Sequence, residues 1–233
     1  MNAVVTGASR GLGKALAGFL AEKGFNLHLI ASNLALLTEV KADLEKNFSV
    51  KVEVYSCDFS NPKNSKTLAL KLANEIQQVD ILINNAGAFE FGMLEESSSE
   101  QVRKLLNINF MGAFNLTNAF ITLLKKQSSG HVFNIGSIVT QHPRKDIAAY
   151  TISKFTLKGY TEVLRDELKD SKVKVTELIP GSINTSSWDD VPDVPKEDFI
   201  QTQELVDAIW MCYNNTGASN IESLTIRPLN RDF

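Results

Sequence analysis

The sequence predicts an α/β fold in which a parallel sheet of about seven strands is covered by helices on both faces. Short apolar runs alternate along residues 1–233 with longer segments of helical periodicity. The first run passes directly into a glycine-rich turn, and no low-complexity stretch, internal repeat or clear linker divides the chain. Right-handed crossovers make such a sheet doubly wound, so we expect one domain with its ligand crevice at the carboxyl ends of the strands.

The first strand is the run Ala3-Val4-Val5. It leads into the turn Thr6-Gly7-Ala8-Ser9-Arg10-Gly11-Leu12-Gly13, and a helix is expected over 14–23. Glycines allow a tight turn and the close approach of a ligand, while the start of a helix presents free N–H groups and the positive end of its dipole. This sequence of elements therefore predicts a site for a pyrophosphate.

Gly24 ends the first helix, and the next apolar run predicts a strand over 26–31. Either Ser32 or Asn33 can cap the following helix, over 34–47, because both side chains accept hydrogen bonds from free N–H groups. A helix, a glycine and a strand in this order are typical of an α/β unit.

The third strand, 50–56, alternates apolar and polar side chains, so it is expected nearer to a sheet edge than the others. Asn61 and Pro62 mark the start of a helix that runs to about residue 78. The long helical stretch 99–126 is interrupted near 107–112. The remaining strands are expected over 79–83, 131–135, 172–179 and 221–226, and the remaining helices over 147–169 and 202–214.

The composition restricts the classes of partner. With a net charge of -3 and no cluster of basic residues to offset it, the chain is expected to bind neither nucleic acid nor a membrane surface. No apolar run approaches the roughly 18 residues of a membrane span, and no secretory signal follows Met1. Cys57 and Cys212 lie far apart, which indicates neither a disulfide framework nor a metal site. We expect two buried free thiols in a reducing cytoplasm.

Tyr150 and Lys154 stand four residues apart in the predicted helix 147–169, so their side chains share one face. An ammonium beside a phenol favours the phenolate, and we expect Lys154 to lower the pKa of Tyr150 toward the range useful for acid–base catalysis. The same spacing is also found on solvated helix faces, which is the alternative interpretation.

Ser137 and Asn109 are the other polar candidates. Ser137 follows Gly136 at the end of the predicted strand 131–135, where its hydroxyl either donates to a substrate oxygen or completes a turn. Asn109 interrupts an apolar helix face, and a buried amide must be hydrogen-bonded. It therefore holds a water or a backbone group at the site, or marks a kink.

These residues give the chain a resemblance to the short-chain dehydrogenase/reductase family that extends over essentially its whole length. Six motifs in the same order make the resemblance specific. They are the TGxxxGxG turn over Thr6–Gly13, the NNAG motif over Asn84–Gly87, the helix asparagine Asn109, the serine Ser137, the YxxxK pair Tyr150 and Lys154, and the PG turn Pro180-Gly181.

The resemblance implies a Rossmann fold and an enzyme that transfers hydride between a nicotinamide cofactor and a ketone, aldehyde or 3-oxoacyl compound. It implies that Tyr150 passes a proton to or from the substrate oxygen while Ser137 polarises the carbonyl. Lys154 would hydrogen-bond the nicotinamide ribose and depress the pKa of Tyr150. Asn109 would hold a water in a proton relay linked to Lys154.

The resemblance also implies a set of cofactor contacts at four strand ends. Asp58 would meet the adenine, with Phe59 as the neighbouring backbone contact, and Tyr150 and Lys154 would meet the nicotinamide end. The other implied contacts are Gly7, Ser9, Arg10, Gly11, Leu12 and Gly13 in the first turn, Asn84, Asn85, Ala86 and Gly87 after the fourth strand, and Ile179, Pro180, Gly181, Ile183 and Thr185 after the sixth.

The end of the second strand favours NADP (NADPH) over NAD. An acidic side chain at this place binds the ribose 2′-hydroxyl of NAD and repels a 2′-phosphate, but this chain has Ala31, Ser32 and Asn33 there. Ser32 and Asn33 can donate to the phosphate, and Arg10 can supply a positive charge.

Residues 182–199 are the least regular part of the chain. In the resembling family this region covers the substrate, so we interpret it as a mobile lid; an ordered surface loop with Trp188 in a local cluster is the alternative. His142 has no visible partner, and solvation is favoured over a catalytic role. Side chains just past strand ends are expected to line an apolar substrate pocket: Ala88, Phe89, Phe91, Ile138, Val139 and His142.

Two other functions remain open on the same kind of sheet. A nicotinamide-binding sensor or scaffold would typically lack the tyrosine or the lysine, and a methyltransferase would leave Tyr150, Lys154 and Ser137 without roles. The helices predicted over 99–126 and 147–169 carry apolar side chains on more than one face. Because members of the family pair these helices across a two-fold axis, we expect a homodimer or homotetramer that acts on a small-molecule substrate.

Overall fold

The structure is a computed structural model that describes residues 1–127, 129–189, 191, 193–215 and 219–230. The strands are β1 (Asn2–Thr6), β2 (Asn26–Ala31), β3 (Val52–Ser56), β4 (Ile81–Asn84), β5 (Gly130–Ile135), β6 (Val173–Pro180) and β7 (Ser223–Ile226). The helices are α1 (Gly11–Glu22), α2 (Leu34–Asn47), α3 (Pro62–Glu75), α4 (Ser99–Leu106), α5 (Gly112–Lys126), α6 (Ala148–Leu168) and α7 (Thr202–Asn214).

The seven strands form one parallel sheet in the order β3-β2-β1-β4-β5-β6-β7. The predicted fold class is confirmed, and β3 lies at an edge as its alternating pattern indicated. β1 is shared between the two halves, with Val5 opposite Leu29 on one side and Ile83 on the other. The strand order reverses between β1 and β4, and this reversal opens a crevice at the carboxyl edge of the sheet.

Two apolar layers cover the sheet. The layer on one face contains side chains of α1, α2 and α7, and the layer on the other contains side chains of α3, α5 and α6. β1 contributes to both layers, since Ala3 and Val5 point into the first and Val4 into the second. Cys57 and Cys212 are buried free thiols, as expected.

Asparagine side chains cap the starts of α2 and α3. Asn33, rather than Ser32, caps α2, and its side-chain oxygen accepts a hydrogen bond from the Leu36 N–H at 3.1 Å. Asn61 caps α3 in the same way through the Lys63 N–H at 3.0 Å. This helix ends at Glu75 instead of residue 78, because the next residue adopts an extended backbone and buries its side chain in the core.

The predicted interruption of the long helical stretch is a π-helical turn over Asn107–Met111, between α4 and α5. The Gly112 N–H bonds to the Asn107 carbonyl, five residues back, so this turn is wider than an α-helical one. Asn109 lies within it and is buried. The turn therefore brings a polar side chain into the interior below the crevice.

Within the described ranges, every helix lacks either the length or the apolar character needed to cross a membrane.

Candidate active site

A cavity of about 530 Å³ lies at the carboxyl ends of the strands. Its lining includes residues that follow β3 at one end and β6 at the other, so it spans most of this sheet edge. Most of the side chains assigned from the sequence line it: Gly7, Ser9, Arg10, Gly11, Leu12, Ser32, Asp58, Phe59, Asn85, Ala86, Gly87, Ser137, Tyr150, Lys154, Pro180, Gly181, Ile183 and Thr185.

The glycine turn after β1 packs against the end of β4 without space for side chains. A Cβ atom on Gly13 would lie 2.2 Å from the Gly7 carbonyl oxygen, and one on Gly7, whose φ is +67°, would lie 2.8 Å from Asn85 Nδ2. That amide donates to the carbonyl oxygens of Thr6 at 2.9 Å and Gly7 at 3.4 Å. Thr6 Oγ1 in turn accepts from the backbone N–H groups of Asn85 at 2.9 Å and Ala86 at 2.8 Å. We call this set of contacts the strand-end clamp.

Helix α1 begins directly after the turn, at the wall of the cavity. Among the described residues, Arg10 forms no capping hydrogen bond through its side chain, and the first turn of α1 contains no acidic residue. Arg10 itself is exposed and lines the cavity. Free N–H groups, the positive end of the helix dipole and a guanidinium together favour an anion here. The residues present therefore fit the pyrophosphate of a dinucleotide.

Tyr150 and Lys154 lie on the same face of α6, as their spacing predicted, and both line the cavity. Lys154 is 5% exposed, its Nζ donates to the Ile135 carbonyl at 2.8 Å, and it lies 5.7 Å from the centroid of the Tyr150 ring. The ammonium is thus anchored to the end of β5 and faces the tyrosine ring. A solvated helix face is excluded for this pair.

Burial shifts the pKa values of Tyr150 and Lys154 in opposite directions. It raises the pKa of Tyr150, and a hydrogen bond with Ser137 opposes that shift. It lowers the pKa of Lys154 to about 8, against the attraction of the Glu177 carboxylate. The expected lowering of the tyrosine pKa by Lys154 is therefore wrong for the protein alone, because the desolvation of the phenolate is the larger effect.

Ser137 lies in the turn after β5 and is also part of the site. Its Oγ accepts from the Val139 N–H at 3.4 Å, its carbonyl accepts from Thr140 Oγ1 at 2.9 Å, and its hydroxyl opposes the rise in the pKa of Tyr150. The two interpretations of this serine are thus compatible. The turn that it caps directs its hydroxyl toward the tyrosine.

Asn109 lies behind the cavity wall and bonds to protein groups. Its Oδ1 accepts from the Ala88 N–H at 2.8 Å, and its Nδ2 donates to the Ala88 carbonyl at 2.9 Å and to Ser153 Oγ at 2.8 Å. Ser153 Oγ donates to the Tyr150 carbonyl at 2.7 Å. Asn109 therefore ties the loop after β4 to the first turns of α6, and it also marks the irregular turn of its own helix.

Two predicted contacts have other partners. Asn33 is outside the cavity lining, and its side-chain oxygen caps α2. The cap does not use its amide nitrogen, so the contact of Asn33 with the cofactor stays a prediction. His142 does not line the cavity either; it is exposed, and its Nε2 lies 3.3 Å from Arg227 Nη1, so it is corrected as a pocket residue.

Asn84 and Asn85 point in different directions. Asn84 is the last residue of β4 and points into the interior, where its Nδ2 donates to Thr117 Oγ1 at 3.0 Å and to Asn134 Oδ1 at 2.8 Å. Asn85 lies beyond the strand and reaches the glycine turn. The implied cofactor contact of Asn84 is corrected on this basis. Gly13 and Ile179 also lie outside the cavity lining.

Four residues that shape the site have no individual role predicted from the sequence, although Thr6 opens the TGxxxGxG motif. Thr6 and Ser153 act through hydroxyl contacts with distant segments, and the position of Ser153 beside Lys154 was the available signal. Arg144 and Ile147 line the cavity from the segment between β5 and α6, and no local pattern distinguishes them.

The predicted lid segment 182–199 passes over one side of the cavity, although Asp190 and Pro192 lie outside the described residues. Trp188 ends a short helical turn, and its ring lies 5.2 Å from the Phe89 ring and 5.3 Å from the Phe199 ring. Phe199 is buried and packs against the Trp188 ring. Trp188 is therefore in a local cluster that also belongs to the cavity wall.

Comparison with known proteins finds a matching family model and several similar reductases. The model of the short chain dehydrogenase family matches residues 1–195. A sepiapterin reductase from Chlorobaculum tepidum is 27% identical over 236 residues, covering 99% of this chain and 97% of the relative. A diacetyl reductase [(S)-acetoin forming] from Staphylococcus epidermidis is 31% identical over 192 residues, covering 82% of this chain and 74% of the relative.

A solved structure has the same fold over the whole chain. It is an alcohol dehydrogenase from the archaeon Thermococcus sibiricus complexed with 5-hydroxy-NADP, with a TM-score of 0.89 and 27% identity. The match covers 100% of this chain and 98% of the archaeal chain.

The strand-end clamp predicts different effects for two glycines of α1. We expect Gly13→Ala to lower the free energy of unfolding by about 1–3 kcal/mol, because its Cβ would collide with backbone. Gly18→Ala is the matched control; no heavy atom of the described residues lies within 4 Å of its Cβ, and we expect a gain of up to about 1 kcal/mol. Urea unfolding measures both, and equal effects would contradict the clamp.

Proposed function

The chain belongs to the short chain dehydrogenase family, and from this premise we propose that Tyr150 is the acid–base group of its hydride-transfer reaction. The reaction is the interconversion of a carbonyl and an alcohol on a small molecule, with a nicotinamide cofactor. We assign the whole chain, 1–233, to one catalytic domain, with 182–199 as its lid. The location of Trp188 against Phe89 supports the lid.

One observation carries the proposal: Tyr150, Ser137 and Lys154 line the same cavity, with the Ser137 hydroxyl near enough to oppose the rise in the pKa of Tyr150 and the Lys154 ammonium on the same face of the helix as Tyr150. A carbonyl oxygen placed between these hydroxyls receives two hydrogen bonds, which stabilise the charge that develops during reduction. The clamp and the start of α1, at the same sheet edge, supply the place for the cofactor phosphates.

Each polar group has a role in proton transfer. The nicotinamide cofactor supplies or accepts the hydride when bound. Tyr150 retains its proton at neutral pH because burial raises its pKa, so it can protonate the oxygen of a carbonyl that is being reduced. Lys154, with a pKa of about 8, is mainly protonated at pH 7 and stabilises the phenolate that remains.

A relay of protons to Tyr150 has space behind the cavity wall. A Cβ on Gly87 would lie 3.4 Å from Asn109 Oδ1 and 3.8 Å from Lys154 Nζ. Gly87 therefore leaves a gap that is bordered by both polar atoms. We assign this gap to the relay water, held between Asn109 and Lys154.

The role of Tyr150 predicts a large and selective effect of Tyr150→Phe. We expect kcat for carbonyl reduction to fall by roughly 100-fold or more, since the proton donor is lost, while the affinity for cofactor is retained. Tyr160→Phe is the control on the same helix, because that hydroxyl bonds to Asn118 outside the cavity. A sensor or scaffold would show no turnover to lose, and an active Tyr150→Phe protein would contradict the assignment.

We also propose that the cofactor is NADP rather than NAD. Ala31 and Ser32, at the end of β2, line the cavity together with Arg10. The one carboxylate among the described lining residues is Asp58, whose oxygens accept from the Ser60 N–H and hydroxyl at 2.9 Å each. Within the part of the chain that the structure describes, the β2 end of the cavity thus has no acid, and the Arg10 guanidinium lines the same cavity. The NADP analogue in the archaeal relative supports the same choice.

The charge of Arg10 predicts the cofactor preference. We expect kcat/KM to be higher with NADPH than with NADH, and Arg10→Ala to reduce that ratio by about tenfold, because a charge-assisted contact with the 2′-phosphate is lost. Lys14→Ala removes the same charge one turn along α1, at an exposed position outside the cavity lining, and should leave the ratio unchanged. A ratio of one or less in the natural protein would refute the proposal.

We further propose that the chain forms a homodimer or homotetramer through α5 and α6. The rings of Phe110, Phe114 and Tyr160 lie 5.5–5.8 Å apart at this surface, and Ile152 and Phe155 are 40% and 43% exposed. Covering such apolar area favours association. Light scattering is expected to give the mass of two or four chains, and Phe155→Glu to reduce it. The mass of one chain for the natural protein would refute this assignment.

A further inference from the structure

The side of the cavity next to Tyr150 is built from aromatic rings. Phe89 lies at their centre, with centroids 5.2 Å from Trp188, 5.5 Å from Phe91 and 6.2 Å from Tyr150. We call Phe89, Phe91 and Trp188 the aromatic wall. Its members come from the loop after β4 and the lid segment, so two separate parts of the chain place rings at the same position.

Apolar side chains adjoin the aromatic wall. Ile138, Val139 and Ile147 line the neighbouring part of the cavity. Arg144 also reaches the lining, and its guanidinium is paired with Asp146, with 2.5 Å between Nη2 and Oδ2. Asp58, the one acid of the described lining, follows β3 and is therefore at the far end of the sheet edge. Ser182, Thr185 and Ser187 also line the cavity from the segment that carries Trp188, so the polar groups on this side are short hydroxyls and the paired guanidinium.

The tyrosine fixes how a substrate must lie against this wall. The reacting oxygen has to meet the hydroxyls of Tyr150 and Ser137, and the Phe89 ring is in edge-to-face contact with the Tyr150 ring. A substituent on the reacting carbon therefore meets Phe89 first and Trp188 next. These two rings are inclined at 43°, so they can offer a face and an edge to a third ring.

We propose that the substrate carries an aromatic ring on its reacting carbon, as an aryl ketone or aryl aldehyde, or as the benzylic alcohol in the reverse direction. This inference rests on the proposed function of Tyr150. In the reduction, the carbonyl carbon gains a hydride from the reduced nicotinamide and the oxygen gains the Tyr150 proton. The products are the benzylic alcohol and the oxidised cofactor.

Trp188 makes binding observable without turnover. The chain contains two tryptophans, and Trp210 stacks on Tyr213 in α7, outside the cavity lining. The double variant Tyr150→Phe/Trp210→Phe keeps the Tyr150 ring, removes its proton donor and leaves Trp188 as the sole source of tryptophan emission. This protein, loaded with oxidised cofactor, is titrated with 1-phenylethanol and with 1-cyclohexylethanol, which differ only in the saturation of the ring.

We expect 1-phenylethanol to change the Trp188 emission and to bind about tenfold more tightly than 1-cyclohexylethanol, because ring–ring contacts add to simple burial. Adding Phe89→Leu, which keeps an apolar side chain of similar size, should abolish this preference. Phe48→Leu, after α2 and outside the cavity lining, is the matched control and should preserve it. In turnover by the natural protein, acetophenone should exceed cyclohexyl methyl ketone in kcat/KM by a similar factor.

The outcomes separate the two proposals. Equal binding of the two alcohols, or a preference that survives Phe89→Leu, would overturn the aromatic substrate and leave the role of Tyr150 intact. A clear preference for 1-phenylethanol together with no turnover of any carbonyl compound by the natural protein would overturn the role of Tyr150 and leave the aromatic site as a binding site.

Discussion

The contact between the ends of β1 and β4 is the constraint on which the site depends. At this point the strand order reverses, and the Asn85 amide bonds to two carbonyl groups of the glycine turn while Thr6 Oγ1 accepts two N–H groups in return. The contact is close because Gly7 and Gly13 have no Cβ atoms. It directs the start of α1 into the cavity, and the loop that leaves β4 then carries Gly87 to Asn109 and Phe89 to Tyr150.

Tyr150 and Lys154 have pKa values that are shifted in opposite directions, and these shifts set their protonation states. Burial penalises the charged form of each group, so the pKa of Tyr150 rises and that of Lys154 falls to about 8. At neutral pH both groups still carry their protons, the phenol as a neutral donor and the lysine mainly as a cation. The Ile135 carbonyl and the Glu177 carboxylate help to hold that cation at a position that is 5% exposed. A neutral donor beside a fixed positive charge suits the protonation of a developing alkoxide.

The fold could be predicted from the sequence almost completely, because its signals are local. β2, α2 and α7 have the predicted bounds, and the π-helical turn lies where the apolar pattern was interrupted. The motif residues of the site could also be located, since most of them follow a strand and Tyr150 and Lys154 have the spacing of one helix face. What could not be predicted depends on packing. Asn84 and Asn85, at the end of β4, point their side chains in different directions. The Asn33 side-chain oxygen caps α2. Burial raises the pKa of Tyr150, whereas the sequence predicted that it would be lowered.

The wide turn over Asn107–Met111 also has a consequence for how much the length of this segment can vary. One added residue in a helical turn rotates everything after it by about 100°. Leu105 before the turn and Leu116 after it are both fully buried, and in an uninterrupted helix their spacing would place them on one face, a relation that the wide turn changes. A deletion of one residue here would restore regular winding and rotate Phe120 and Leu124 away from the sheet. The geometry of the turn thus sets the number of residues that this segment must have.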